Sequence, residues 1–244
     1  MGGGFVPGSL NILAARPGCG KSTTALQIAD KAAVSGIPTM FVSLEMEVEQ
    51  LTAKRIAVES GISSNMLLLH QLSDEEYKKV EAATDVLRKR PLVISDRRSM
   101  SIGDVGVAVR QVKGCGLVVL DYMGLLRYEQ GRTLYESVTR TSNELKRLAR
   151  ALKIPILCLC QLNREVESRK GAPPRLSDLR DSGAIEQDAD SVLLLHQLEG
   201  DRLSTLICNV AKNRHGPAGA DVEFAWDKRT GRLYPTKQEQ PKYA

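Results

Sequence analysis

Apolar residues in this chain collect in short runs, separated by longer stretches in which they recur every three or four positions. The runs lie near residues 9–15, 38–44, 91–95, 116–121, 154–160, 190–196, 204–211 and 221–226, and each reads as a strand. Thr23 to Ser35 and Leu134 to Leu152 carry apolar residues at helical spacing. Asp74 to Lys89 does the same with many charges on its other face. Such alternation is the signature of a parallel sheet crossed over by helices. The last two runs follow one another through Gly216-Pro217-Ala218-Gly219 with no helix between them, so the sheet is predicted to finish in antiparallel pairing. The pattern therefore predicts one α/β domain over residues 1–235, a mostly parallel central sheet flanked by helices, and a loose tail over 236–244. Asn163 to Pro174, the longest stretch without a clear element, is long enough for a compact domain to predict a functional loop.

Composition narrows the class. Of 244 residues, 42% are apolar and 26% charged, which gives a proper core and excludes disordered and fibrous chains. Lys and Arg total 34 against 29 Asp and Glu, and the net charge of +5 fits a polyanion partner without requiring one. Aromatic residues are only 4%, too few for a surface of base-stacking platforms, so any nucleic acid would be held by its backbone. The five cysteines are odd in number and form no C-x-x-C pair, which predicts buried thiols in a reducing cytosol. No apolar run approaches the roughly 20 residues of a membrane-spanning helix. The start, Met1 to Val6, also lacks the basic n-region of a secretion signal. A soluble, cytoplasmic protein with no membrane partner is expected.

Ala15-Arg16-Pro17-Gly18-Cys19-Gly20-Lys21-Ser22 follows a predicted strand and opens a predicted helix, the context that a phosphate-binding loop requires. Gly18 and Gly20 let backbone N–H groups converge on phosphate oxygens. Lys21 offers charge to the outer phosphates, and the Ser22 hydroxyl can ligate magnesium. The leading glycine of the general motif is here Ala15. Leu117 to Asp121 is an apolar strand ending in a carboxylate, which makes Asp121 the candidate acid for the metal. Glu45 directly follows the strand Thr39 to Leu44, whose carboxyl end lies on the same rim as the phosphate loop in a parallel sheet. It reads either as the base that activates water or as an acid at the start of the next helix. Lys212 and Arg214 are spaced by two at a strand end and so can reach one target together.

These segments, with Ser43-Leu44-Glu45-Met46, Asp121-Tyr122-Met123, Gln161-Leu162-Asn163-Arg164, Leu176 to Asp190 and Ala211-Lys212-Asn213-Arg214-His215-Gly216-Pro217, resemble the C-terminal, RecA-like motor domain of the DnaB family of hexameric replicative DNA helicases. The match runs in order along nearly the whole chain. The family normally has Ala at the position of Ala15. Cys19 and Asp181 depart from its commoner residues, Asp181 shortening a carboxylate that is usually Glu.

The resemblance implies a RecA-like P-loop fold that binds ATP or another NTP with Mg²⁺. Arg16, Gly18, Cys19, Gly20, Lys21, Ser22 and Thr23 would form the nucleotide cradle, with Ser22 and Asp121 at the metal. Glu45 would polarise the attacking water, and Gln161 would be a sensor between nucleotide and DNA. Lys212 and Arg214 would reach into the neighbouring subunit's site, and Arg180, Asp181 and Gly183 would hold single-stranded DNA in the ring's channel. Full-length members assemble as homo-hexamers, with a helicase loader and a primase as candidate partners. They also carry an N-terminal domain and a linker helix, and this chain starts just before the first strand. Only weak self-association is therefore expected of it alone. Two other readings stay open at this point: a recombinase-type or clock-type RecA relative that hydrolyses ATP without unwinding, and a non-enzymatic DNA-binding module switched by nucleotide.

Overall fold

The computed structural model describes residues 4–121, 123–126, 134–163, 169, 172–179, 182–198 and 204–236. Within them nine strands form one sheet: β1 (Leu10–Ala15), β2 (Thr39–Ser43), β3 (Leu92–Ser95), β4 (Leu117–Asp121), β5 (Ile156–Gln161), β6 (Ser191–Leu198), β7 (Ser204–Asn213), β8 (Asp221–Asp227) and β9 (Arg232–Pro235). Their order is β3-β2-β4-β5-β1-β6-β7-β8-β9. The first six in this order pair in parallel, and the β6–β7, β7–β8 and β8–β9 pairs are antiparallel. The expected change of pairing thus begins one strand earlier, at β6–β7, and a further short strand closes the edge.

Seven α-helices accompany the strands: α1 (Lys21–Val34), α2 (Val48–Ser60), α3 (Ser64–Leu68), α4 (Asp74–Arg88), α5 (Ile102–Gln111), α6 (Leu134–Leu152) and α7 (Ser182–Asp188). The parallel strands are apolar at successive positions because both faces of the sheet are covered. Alternate residues go to opposite layers. Ile12, Ala14, Met40, Val42, Val118 and Leu120 join one core with residues of α5 and α6. Leu13, Ala15, Phe41, Val119, Leu157 and Leu159 join the other with Ala25, Leu26 and Ala29 of α1.

Local signals explain the element ends. Ser73 and Glu76 close a capping box at the start of α4, and Ser101 and Asp104 do so for α5. Gly61, with φ of 76°, ends α2 in the left-handed conformation that a side chain would disfavour. The cysteines are all free, but only Cys158 and Cys160 are fully buried. Cys19, Cys115 and Cys208 are half-buried, because they lie in a loop, before a strand and near the sheet's edge, where one side lacks a covering layer. Most of the Asn163–Pro174 stretch lies outside the described residues, as does the tail beyond residue 236. No helix among the described residues is long and apolar enough to cross a membrane.

Candidate active site

The phosphate loop joins β1 to α1 at the carboxyl rim of the parallel strands. Ala15 is the last residue of β1, fully buried between Gln161 of β5 and Leu195 of β6. Beyond it the loop turns through a Cys19 N–H to Arg16 carbonyl bond, and Arg16 Nη1 donates to the Leu162 carbonyl at 3.0 Å. Gly18 has φ of 77° and open space where a Cβ would stand. Gly20 has φ of 73°, and its missing Cβ would lie 3.2 Å from the Trp226 ring. Gly20 also caps α1 with no side-chain hydrogen bond, so the helix's first N–H groups have no side-chain acceptor at the cap. Ser22 is half-buried at the helix start, and Thr23 is buried just behind it.

Lys21 Nζ lies 3.0 Å from Asp121 Oδ1, with the carboxylate fully buried. Asp121 Oδ2 is buried with no hydrogen-bond partner among the described residues. The main chain fixes Asp121 in place: it pairs in register with Ser43, and its carbonyl accepts from Leu44 N–H at 2.6 Å. Glu45 therefore sits one residue past this tie, in a bend held by the Ser43 hydroxyl, which accepts from Met46 N–H at 3.0 Å. Its side chain is exposed, and α2 begins only at Val48 with Glu47 as cap, so Glu45 is not a first-turn acid of that helix. Gln161 ends β5 beside Ala15 and is half-buried. The structure thus brings the phosphate loop, Asp121, Glu45 and Gln161 to one rim.

Lys212 and Arg214 lie at the other rim. Antiparallel β7 runs back along β6, pairing Asn213 with Ser191, whereas Ala15 pairs with Leu195. Four residues of strand, roughly 13 Å, separate the two levels. Both side chains do reach one target: Lys212 donates to the Glu186 carbonyl and Arg214 to the Gln187 carbonyl, at the last turn of α7. Burial lowers the Lys212 pKa, and the nearby Arg214 charge lowers it further. Gly183 is exposed near the start of the same helix, and Arg180 and Asp181 lie outside the described residues.

Four further residues join these two regions without having been singled out in the sequence. Trp226 packs beneath Gly20, and its Nε1 has no partner among the described residues. Lys54 of α2 is half-buried. Desolvation lowers its pKa against the opposing pull of the Asp121 charge. Asp190 and Lys146 form a buried ion pair beside Arg214. None belongs to a short motif. Lys146 alone has a readable signal, a cation on the apolar stripe of a predicted helix.

Comparison with known proteins bears on what this arrangement is. A family model described as DnaB-like helicase C terminal domain matches residues 1–234. The replicative DNA helicase DnaB of Geobacillus stearothermophilus is 34% identical over 241 residues, covering 93% of this chain and 52% of the relative. That of Treponema pallidum is 37% identical over 228 residues, covering 91% and 51%. The chain spans about half the length of the curated relatives it matches. Among solved structures, an isolated ATPase domain superposes with a TM-score of 0.88 at 28% identity, over 96% of this chain and 87% of that one. A DnaB-like replicative helicase studied with its interactions with primase gives the same score and identity, over 96% and 59%. With the family model running along nearly its whole length and the same fold in these neighbours, this chain belongs to the family of DnaB-like helicase C-terminal domains.

Proposed function

We propose that this chain is the motor of a replicative DNA helicase. ATP or another NTP is hydrolysed at subunit interfaces of a homo-hexamer, and the cycle drives translocation on single-stranded DNA and unwinding of duplex. The observation that carries this reading is the division of the machinery between opposite rims. Phosphate loop and carboxylates stand at one end of the sheet, and the Lys212–Arg214 pair stands at the other. A basic pair there cannot serve its own subunit's nucleotide, but in a head-to-tail ring it meets the neighbour's.

The residues at the phosphate loop fit a magnesium nucleotide. A buried carboxylate oxygen with no partner among the described residues, an uncapped helix start and open space above Gly18 suit a divalent cation and polyphosphate oxygens. Ser22 and Asp121 would hold the Mg²⁺, which when bound neutralises charge on the phosphates. Arg16, Gly18, Cys19, Gly20 and Thr23 line the cradle. Lys21 would exchange its bond to Asp121 for phosphate oxygens, freeing the carboxylate. Glu45, exposed at the rim, orients the attacking water and accepts its proton at the carboxylate. Gln161 sits where β5 leaves the phosphate loop and can report nucleotide state toward the chain that follows. Lys212 and Arg214 from the neighbour stabilise the charge that develops in phosphoryl transfer, an effect worth about 10³ to 10⁵ in rate. Arg180, Asp181 and Gly183 hold DNA phosphates in the channel. A cytoplasmic setting, and a loader and a primase as partners of the whole protein, follow from the same reading.

The test is ATPase activity with and without long single-stranded DNA over a range of protein concentrations, run beside unwinding of a forked duplex. The rate per subunit should rise with both DNA and concentration, because a lone subunit has half a site. A rate indifferent to both, with no strand separation, overturns the motor reading in favour of an ATPase that does not unwind.

A further inference from the structure

Arg214 is the more exposed member of the pair, with 44% of its side chain open to solvent, yet it is held from three directions. Its backbone N–H donates to the Asp190 carbonyl at 2.8 Å. One terminal nitrogen donates to the Gln187 carbonyl at the end of α7. The other lies 3.5 Å from Asp190 Oδ1. Asp190 is itself anchored: its Oδ2 accepts from Leu10 N–H at 2.8 Å and from Lys146 Nζ, and the residue is 5% exposed. Burial alone would raise the Asp190 pKa, and the hydrogen bonds from Lys146 and Leu10 outweigh it, so the carboxyl stays ionised. A guanidinium offers five N–H donors, more than this seat engages, and its exposure leaves the remainder free to meet an anion.

We propose that Asp190 is the positioning residue of the trans-acting finger: its carboxylate, with the last carbonyls of α7, holds the Arg214 guanidinium in the orientation from which it reaches the neighbouring subunit's nucleotide. The proposal rests on the trans reading of Lys212 and Arg214. Asp190 acts through Arg214 and touches no substrate. The seat explains why an anionic group is buried next to the start of β1 together with a lysine, where an apolar pair would pack as well. Because α7 supplies the other half of the seat, the finger is tied to the helix that begins at the proposed DNA loop.

The experiment uses Asp190→Asn in this chain, assembled on long single-stranded DNA. The amide keeps an acceptor for Leu10 N–H and removes the charge facing Arg214. ATPase kcat should fall roughly 10- to 100-fold, the scale expected when a catalytic group is misplaced by about 1 Å, with KM for ATP within about twofold. Mixing then locates the defect. Asp190→Asn mixed with Lys21→Ala should regain activity, since intact phosphate loops of the first meet intact fingers of the second. Asp190→Asn mixed with Arg214→Ala should not, because both subunits then lack a working finger. Recovery in the second mixture, no recovery in the first, or an Asp190→Asn chain as active as wild type overturns the proposal. Lys21→Ala mixed with Arg214→Ala is the control: its failure to recover removes the trans reading, and the proposal with it. If the Asn variant does not fold, Asp190→Ser, smaller and still an acceptor, carries the same expectations.

Discussion

Replacing Lys21 by Met should destabilise the nucleotide-free protein as well as abolish nucleotide binding. Lys21 Nζ lies 3.0 Å from Asp121 Oδ1, with the two side chains 11% and 0% exposed. The second carboxylate oxygen already has no partner among the described residues. Met keeps the length of the side chain and removes the charge, so Asp121 is left buried without its closest cation. Removing one partner of a buried pair costs about 3–5 kcal/mol. Lys54 is near enough for the Asp121 charge to act on it and supplies part of the lost compensation, which places the cost toward the lower end of that range. A domain of this size loses about 2–4 °C in Tm per kcal/mol, so about 3 kcal/mol appears as a fall of roughly 6–12 °C. The assay is thermal melting in buffer without nucleotide or magnesium, for Lys21→Met, Asp121→Asn and the double variant. Asp121→Asn should cost less, since an amide oxygen can still accept from Lys21 without burying charge. The double variant should melt above Lys21→Met, because it removes the stranded carboxylate. A Lys21→Met chain that melts within about 1 °C of wild type, or a double variant no more stable than Lys21→Met, refutes the reasoning.

Glu45→Gln should bind nucleotide as wild type does and lose hydrolysis, measured by nucleotide-binding titration beside steady-state ATPase; wild-type turnover at saturating DNA would remove Glu45 as the base. Arg180→Ala should weaken binding to single strands of every sequence about equally and lower the salt slope by roughly 0.7, the value for one phosphate contact; unchanged affinity and slope would take Arg180 out of the channel. Gly20→Ala should cost about 1–2 kcal/mol for placing a side chain in the left-handed conformation, and more if the Trp226 ring cannot yield, with tryptophan fluorescence following the shift in its surroundings. The Cys208 thiol, pushed up to about 11 by burial, stays protonated through neutral pH. It should alkylate more slowly at about pH 8 in the folded chain than in urea, and equal rates would show that the site is not desolvated.

The phosphate loop, the acid ending β4 and the carboxylate after β2 are legible from the chain alone because each depends on local order. A strand must end and a helix must start for backbone N–H groups to converge, and short-range pattern carries both facts. The long helix α6 is legible to the residue, since 19 residues of strong periodicity average out local ambiguity. Helix α5 is not: its Gly and Val residues blunt helical propensity, and only the Ser101–Asp104 capping box marks its start. Strand β9 escapes a reading of the chain because four residues at a sheet edge, with one face open, show no alternation long enough to detect.

What the sequence determined by itself, then, is which residues carry the chemistry and that the fold is α/β with a parallel core. Tertiary structure alone decided where those residues stand relative to one another. The spacing of Lys212 and Arg214 showed that they share a target, yet it could not show that the target within the chain is the end of α7. That depends on the register of β7 against β6, shifted by a bulge after Val192. The partnership of Asp190 with Lys146, Leu10 and Arg214 links positions up to 180 residues apart. Trp226 under Gly20 spans a comparable separation. Such pairs leave no local trace, because one buried contact is compatible with many sequence patterns on either side of it. They are fixed only when the order of the strands brings the two ends of the chain to the same layer.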